Sequence, residues 1–158
     1  MLPLEGEPQP FIQSPFNEEY PTFSPDGCWL AYTSNQSGRK EVYVTPYPGP
    51  GPKHQISTDG GSEPAWTPNG GELFYRTFRD SEGFRSMMAV DITTEPTFTT
   101  DRPRQLFKEN KYQDTTPLRN YDVTRDGRRF LMVQEVSRPG REPVTEIQIV
   151  LHWFEELK

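Results

Sequence analysis

The pentapeptide Phe23-Ser24-Pro25-Asp26-Gly27 decides the predicted fold, because two related pentapeptides follow it along the chain. They are Trp66-Thr67-Pro68-Asn69-Gly70 and Val123-Thr124-Arg125-Asp126-Gly127, offset by 43 and then by 57 residues. Each contains an apolar residue, a hydroxyl, an Asp or Asn and a glycine, which together favour a tight turn between two strands. An apolar residue follows each glycine by three positions, namely Leu30, Leu73 or Phe130. Three such turns in register indicate a tandem repeat.

The repeat length predicts an all-β fold, because a unit of about 40–50 residues with four short strands is typical of one β-propeller blade. We expect a single domain over residues 1–158, with blade repeats at about 18–57, 61–107 and 118–158. An insertion at 101–117 would explain the longer second spacing. The third repeat has no fourth strand in the sequence, whereas residues 11–14 have the pattern of a fourth strand that completes another blade.

Strand positions follow from apolar runs bounded by turn residues. Second strands are predicted at 29–34, 72–77 and 129–135, third strands at 41–45, 87–92 and 146–151, and fourth strands at 54–57 and 104–107. Proline (17 residues) and glycine (12) are frequent, and the mean hydropathy is -0.85, which also fits a disordered chain. The aromatic residues, 13% of the chain, nevertheless fall inside the short apolar runs, which favours folded strands.

Charge and residue chemistry exclude several classes of function. A net charge of -6 argues against a nucleic-acid partner or an anionic membrane surface, and no segment has the length and apolarity for membrane insertion. Cys28 is the only cysteine, and the two histidines, His54 and His152, lie in no metal-binding motif. The Gly-x-Ser-x-Gly motif of serine hydrolases is absent. We therefore expect no enzymatic activity, no catalytic residue, no metal site and no cofactor.

The residues that lead into the first strand of each repeat are the candidate binding site. In a propeller they surround one mouth of the central channel. The repeat alignment selects Glu19, Tyr20, Ser62, Glu63, Arg119 and Asn120. Their chemistry differs between repeats while the turns stay alike, as expected of a recognition surface on a constant frame. An ordinary solvated loop is the alternative interpretation.

The Ser-Pro-Asp-Gly turn followed by an apolar strand resembles the blade signature of the TolB-like (WD-repeat-like) β-propeller family. The segments 11–18 and 147–157 are most similar to the C-terminal blades of propellers attached to bacterial serine/threonine protein kinases. That resemblance implies a six-bladed ring used for protein recognition or sensing, of which this chain would be half. It also permits a periplasmic or extracytoplasmic location. No kinase motif is present, and residues 1–10 lack a signal-peptide pattern, so the compartment stays open.

Three blades cannot close a ring, and each blade presents apolar residues on both faces. The simplest expectation is a homodimer of three plus three blades, in which residues 11–14 of one chain complete the third blade of the other. A complementary half from another polypeptide is the alternative. The predicted function is recognition of a protein or small ligand, or scaffolding. A fragment of a kinase sensor or of a prolyl-oligopeptidase-type enzyme, with no activity of its own, is the alternative to that function.

Overall fold

The computed structural model describes residue 7 and residues 9–112, 118–134 and 148–150, and these contain strands and turns but no helix. The first sheet, here called blade 1, contains β1 (Glu18–Phe23), β2 (Trp29–Ser34), β3 (Glu41–Pro46) and β4 (His54–Gln55). Blade 2 contains β5 (Ser62–Trp66), β6 (Glu72–Arg76), β7 (Arg85–Thr93), β8 (Thr99–Thr100) and β9 (Arg104–Glu109). Blade 3 contains β10 (Tyr121–Val123), β11 (Phe130–Met132) and β12 (Gln148–Val150).

Within each blade, strands that follow one another in sequence pair antiparallel, except that both β8 and β9 pair with β7. The predicted second strand at 29–34 is confirmed, and β6, β7 and β9 overlap their predicted ranges. Blade 2 is longer than blade 1 partly because β7 continues to Thr93 and turns back as β8 before β9 begins. The predicted fourth strand at 54–57 is shorter, since β4 ends at Gln55. Of the predicted third strand at 146–151, residues 148–150 form β12 and the other three lie outside the described residues, as does the end of the predicted strand 129–135.

The three turns that define the repeat share one hydrogen-bond arrangement. In the second turn the amide of Gly70 donates to the carbonyl of Thr67 at 2.9 Å, and the amide of Glu72 donates to the Thr67 hydroxyl at 3.0 Å. The first and third turns repeat the glycine bond at 2.9 and 2.8 Å. The turn glycine adopts a φ of +74° at Gly70, in the left-handed region that glycine enters without a steric penalty. The repeated pattern therefore reflects repeated backbone geometry.

Neighbouring blades pack face to face through buried side chains. One cluster joins blade 1 to blade 2, with Val42 and Val44 on one side and Leu73 and Tyr75 on the other. A second cluster joins blade 2 to blade 3; its buried members are Ala65, Phe74, Met87, Ala89, Leu106, Tyr121, Phe130 and Met132. The first strands of successive blades also lie side by side, since the indole of Trp66 donates to the Thr22 carbonyl at 3.3 Å. The blades are therefore arranged around a common axis with their first strands innermost.

Residues 11–14 do not form a strand in this chain, which differs from the sequence-based expectation. Strands need a hydrogen-bonded neighbour, and no described strand lies alongside this segment. Instead, Phe11 and Ile12 pack against a buried cluster on blade 1 formed by Leu30, Tyr32 and Tyr43. These three side chains point away from blade 2. The segment thus covers the end face of the three-bladed arc.

In the described part of the chain, no helix has the length and apolarity needed to cross a membrane.

Candidate binding site

The six predicted site residues lie at the entrance to the three innermost strands, but they differ in accessibility. Ser62, Glu63 and Asn120 are 3%, 1% and 7% exposed, so their side chains lie inside the protein. Glu19 and Arg119 keep 26% and 33% of their side-chain surface exposed. Tyr20 is also partly exposed. Of the six candidates, Glu19, Tyr20 and Arg119 are therefore the accessible ones, and the role of the six in binding stays a prediction.

Glu63 is the centre of a buried ionic network. One carboxylate oxygen lies 3.2 Å from Nη1 of Arg85 and 3.5 Å from Nη1 of Arg76, while Nη2 of Arg76 lies 2.6 Å from Glu109. All four side chains are nearly or fully buried. Burying charges is unfavourable unless each is paired and hydrogen-bonded, so the two arginines and the two glutamates require one another. This network was missed by sequence reasoning because its members come from separate strands.

The same glutamate connects blade 2 to blade 3. Its second carboxylate oxygen accepts a hydrogen bond from the amide of Asn120 at 2.8 Å, and its carbonyl accepts one from the Tyr121 hydroxyl at 2.6 Å. Burial is the main cause of the raised pKa of Tyr121, so this hydroxyl keeps its proton and stays a donor. The polar groups of Glu63 are therefore used in joining two blades and are not presented to a ligand.

Tyr20 and Glu63 share an uncommon backbone conformation. Their φ values are +54° and +60°. The two residues are 43 positions apart, which is the length of one repeat, and a proline follows each of them. In both β1 and β5 the pairing register shifts at this point, which marks a β-bulge. A bulge redirects the side chain that it carries. It directs Glu63 into the boundary between blades 2 and 3, while the equivalent Tyr20 stays partly exposed.

The accessible residues hold defined partners. Glu19 forms an ion pair with Lys40 at 2.7 Å. The guanidinium of Arg119 donates to the Tyr121 carbonyl at 3.0 Å and to the Pro64 carbonyl at 3.4 Å, and pairs with Asp122 at 3.3 Å. These contacts orient one carboxylate and one guanidinium next to the inner strands.

The opposite ends of the inner strands carry two clefts of equivalent position. A cleft of about 560 Å³ lies between the turns of blades 1 and 2, and one of about 350 Å³ lies between the turns of blades 2 and 3. The turn carboxylates bordering them are engaged: the Ser24 hydroxyl and then the Cys28 amide lower the pKa of Asp26. Likewise the Thr124 hydroxyl and the Arg128 amide lower the pKa of Asp126. Both carboxylates thus stabilise turns.

Two further reactive side chains among the described residues, Cys28 and His54, have different surroundings. Cys28 is exposed and free, and its Sγ lies 3.6 Å from the Asp26 carbonyl. His54 stacks on Phe98 with ring centroids 4.2 Å apart, and burial lowers its pKa. Within the ranges that the structure describes, no group of three or more His, Cys, Asp or Glu residues is placed to hold a metal ion.

Comparison with solved structures identifies the architecture. A protein described as TolB from Agrobacterium tumefaciens is similar over 62% of this chain and 36% of its own, with 17% identity and a TM-score of 0.50. An acylaminoacyl peptidase from Pyrococcus horikoshii is similar over 83% of this chain and 19% of its own, with 17% identity and a TM-score of 0.54. The β-propeller domain of the Trilobed protease from Pyrococcus furiosus matches over 74% and 34%, with 11% identity and a TM-score of 0.49.

The chain has a β-propeller fold and contributes three blades, as the turn repeat predicted. It spans about a third of the TolB protein and about a fifth of the peptidase. No family model and no curated protein matches the sequence. At these identities the similarity is one of fold, and function has to be argued from the residues.

Proposed function

We propose that this chain is a non-enzymatic propeller module for recognition of a protein or small ligand, or for scaffolding, which self-assembles into a closed ring. In this proposal two chains form a homodimer of three plus three blades, equivalent to one six-bladed propeller. Partly exposed residues at the entrance to the inner strands, Glu19, Tyr20 and Arg119, contribute to the recognition surface. The wider resemblance to propellers attached to bacterial kinases belongs to the same proposal.

The observation that carries the proposal is the open face of blade 3. Leu131 and Val133 are 38% and 39% exposed. The residues 57 positions earlier, Phe74 and Arg76, are both 0% exposed. Phe74 packs against Phe130 of blade 3, and Arg76 pairs with Glu63 and Glu109. An equivalent surface is therefore covered on blade 2 and uncovered on blade 3. At about 25 cal/mol per Å², covering a few hundred Å² of apolar surface provides several kcal/mol for association.

Measurement of the solution mass tests assembly. We expect a particle of twice the 18.3 kDa chain mass in light scattering coupled to size exclusion, at micromolar concentration. Leu131→Lys places a charge on the proposed interface and should shift the particle toward the single chain, whereas Ser81→Lys on an exposed loop should not. A folded wild-type particle with the mass of one chain would contradict the homodimer.

Recognition is tested on the assembled particle. A thermal-shift screen with peptides and small polar molecules should yield ligands that raise the melting temperature. Binding of such ligands should weaken in Arg119→Ala and persist in Arg128→Ala, since Arg128 borders a cleft at the opposite ends of the strands. Equal loss in both variants, or loss in neither, would place recognition elsewhere.

The second candidate is a fragment of a larger propeller, from a kinase sensor or from an enzyme of the prolyl-oligopeptidase type. The similarity to the peptidase from Pyrococcus horikoshii, of which the chain covers 19%, favours this alternative. Neighbouring coding sequence distinguishes the cases. An upstream kinase domain with a membrane span supports the sensor, and a downstream domain with a Gly-x-Ser-x-Gly motif supports the peptidase.

A further inference from the structure

Residues 11–14 occupy, relative to blade 1, the place that β4 occupies relative to blade 2. In blade 2 the loop between β7 and β8 carries Phe98, which stacks on His54 of β4 at 4.2 Å. In blade 1 the loop between β3 and β4 carries Tyr47, which contacts Phe11 edge-on at 5.0 Å. Phe11 and His54 are separated by 43 residues, the length of one repeat. In both blades an aromatic residue of the loop after the third strand thus contacts a ring at the same repeat position, Phe11 in one case and His54 in the other.

Apolar contacts show the same equivalence. Ile56, directly after β4, belongs to a buried cluster with Leu73 and Tyr75, and Met88 packs against that cluster. Ile12 packs against a cluster of Leu30, Tyr32 and Tyr43. The two clusters are equivalent, because Leu30 and Tyr32 lie one repeat before Leu73 and Tyr75. The strand pairing agrees: Tyr43 lies opposite Tyr32, and Met88 lies opposite Tyr75. Ile12 therefore contacts the same part of blade 1 that Ile56 contacts on blade 2, although the 43-residue alignment places Gln13, one position later, opposite Ile56.

Hydrogen bonding shows what the segment lacks. The Ser57 hydroxyl donates to Glu41 on the third strand of its own blade. Ser14, one repeat earlier, has no third strand beside it and donates to Glu18 at 2.6 Å instead. Buried oxygen atoms of Glu18, Tyr32 and Tyr43 have no hydrogen-bond partner among the described residues. Buried polar atoms usually have partners, and a further blade packed on this face would bring polar groups close to these three oxygen atoms.

We infer that residues 11–14 of one chain form the outer strand of a blade whose inner strands, β10–β12, come from a second copy of the chain. Before the second copy binds, this segment packs on blade 1. This inference rests on the proposed homodimer and specifies its contact. The face beside β12 exposes Leu131 and Val133, the apolar surface that a blade 1 end face would cover. An open cleft of about 620 Å³ lies between residues 9–13 and the loop that connects β3 to β4.

The repeat sets the register of this contact. In blade 1, Tyr43 of β3 lies opposite Gln55 of β4. Gln148 of β12 pairs with Met132 as Tyr43 pairs with Tyr32, so Gln148 is the blade 3 equivalent of Tyr43. Ile12 precedes Gln55 by one repeat. The backbone of Ile12 from one chain should therefore lie opposite Gln148 of the other, antiparallel, with alternate residues hydrogen-bonded.

Disulfide cross-linking tests the register in the full-length chain. Cys28→Ser provides a background without cysteine. A chain carrying Gln148→Cys is mixed, after equilibration, with chains carrying single cysteines at position 11, 12, 13 or 14. We expect a cross-linked dimer in the Ile12→Cys mixture and at least a fivefold lower yield from positions 11 and 13, with Ser81→Cys as a negative control.

A second pair of variants tests the backbone pairing itself. Gln13→Pro fixes φ and removes an amide within the proposed strand, whereas Gln13→Ala keeps the amide and removes the same exposed side chain. Dissociation of the dimer should increase in Gln13→Pro only. A dimer that forms no position-dependent cross-link, and that tolerates proline at position 13, would overturn this inference while leaving the homodimer intact. A single-chain particle would overturn both.

Discussion

The carboxylate of Glu63 accepts a hydrogen bond from the backbone amide of Asn120 at 2.8 Å, although 57 residues separate them. Glu63 holds a left-handed backbone conformation at the bulge of β5, and Asn120 is the residue immediately before β10. The contact joins the innermost strands of two blades at the end that carries the proposed recognition surface. A polar residue that looks like a recognition position in the sequence therefore serves to attach one blade to the next.

Glu63→Ala should destabilise the protein strongly, because Arg85 and Arg76 would each lose a carboxylate partner, at 3.2 and 3.5 Å, while remaining buried. Loss of one partner from a buried ion pair costs about 3–5 kcal/mol. Urea unfolding at a fixed chain concentration measures the change in the free energy of unfolding. Glu19→Ala is the matched control, since its pair with Lys40 is partly exposed and should contribute less than about 1 kcal/mol. Similar losses in the two variants would refute the structural role of Glu63.

Adjacent glycines in the second turn should respond differently to alanine. Gly70 has a φ of +74°, so Gly70→Ala should lower the free energy of unfolding by about 1–2 kcal/mol. Its added Cβ would meet Pro25 at 3.6 Å, an ordinary contact, so the loss would come from the backbone. At Gly71 the Cβ would also make ordinary contacts, and no left-handed conformation is required. Gly71→Ala should therefore be neutral or slightly stabilising in the same unfolding assay.

Acidification should weaken the fold through His54. Burial lowers its pKa in the folded protein below the ordinary value of 6.5, so the unfolded chain binds a proton first as the pH falls. The stabilising contribution is complete above pH 6.5 and is lost as the pH falls from there toward the folded pKa. In His54→Phe, which keeps a ring beside Phe98, the free energy of unfolding should change less between pH 7.5 and 5.5. Equal pH dependence in both proteins would assign the effect to other groups.

Phe98 should be important for stability despite lying in a loop. Its ring packs between His54 at 4.2 Å and Trp29 at 4.6 Å, and it is 9% exposed. Phe98→Ala should cost about 3 kcal/mol, a value typical of buried aromatic truncation, and should shift tryptophan emission to longer wavelength as Trp29 becomes hydrated. Phe16→Ala, at a residue 43% exposed, should change the free energy of unfolding by less than about 0.5 kcal/mol.

The sequence alone determined the blade repeat, because a turn needs particular local chemistry. Glycine in the left-handed region, Asp or Asn beside it and a hydroxyl that bonds back to the strand are all recognisable within five residues. An apolar run bounded by turn residues then predicted the strand at Trp29–Ser34 with the bounds that the structure has. Local interactions of this kind leave a local signature, which is why the fold could be predicted before any coordinates were known.

Only the tertiary structure decided which polar residues are accessible. Glu19 and Ser62 occupy equivalent repeat positions, as do Tyr20 and Glu63, yet the second member of each pair is buried and the first is partly exposed. For Glu63, residues at the start of blade 3 supply the hydrogen-bond partners. Likewise, Arg76 lies at the end of an apolar strand in sequence, and its counter-ion Glu109 lies 33 residues away. Burial depends on which blade packs beside which, and the pairing of Arg76 with Glu109 depends on how strands of one blade lie in space; the repeat pattern specifies neither.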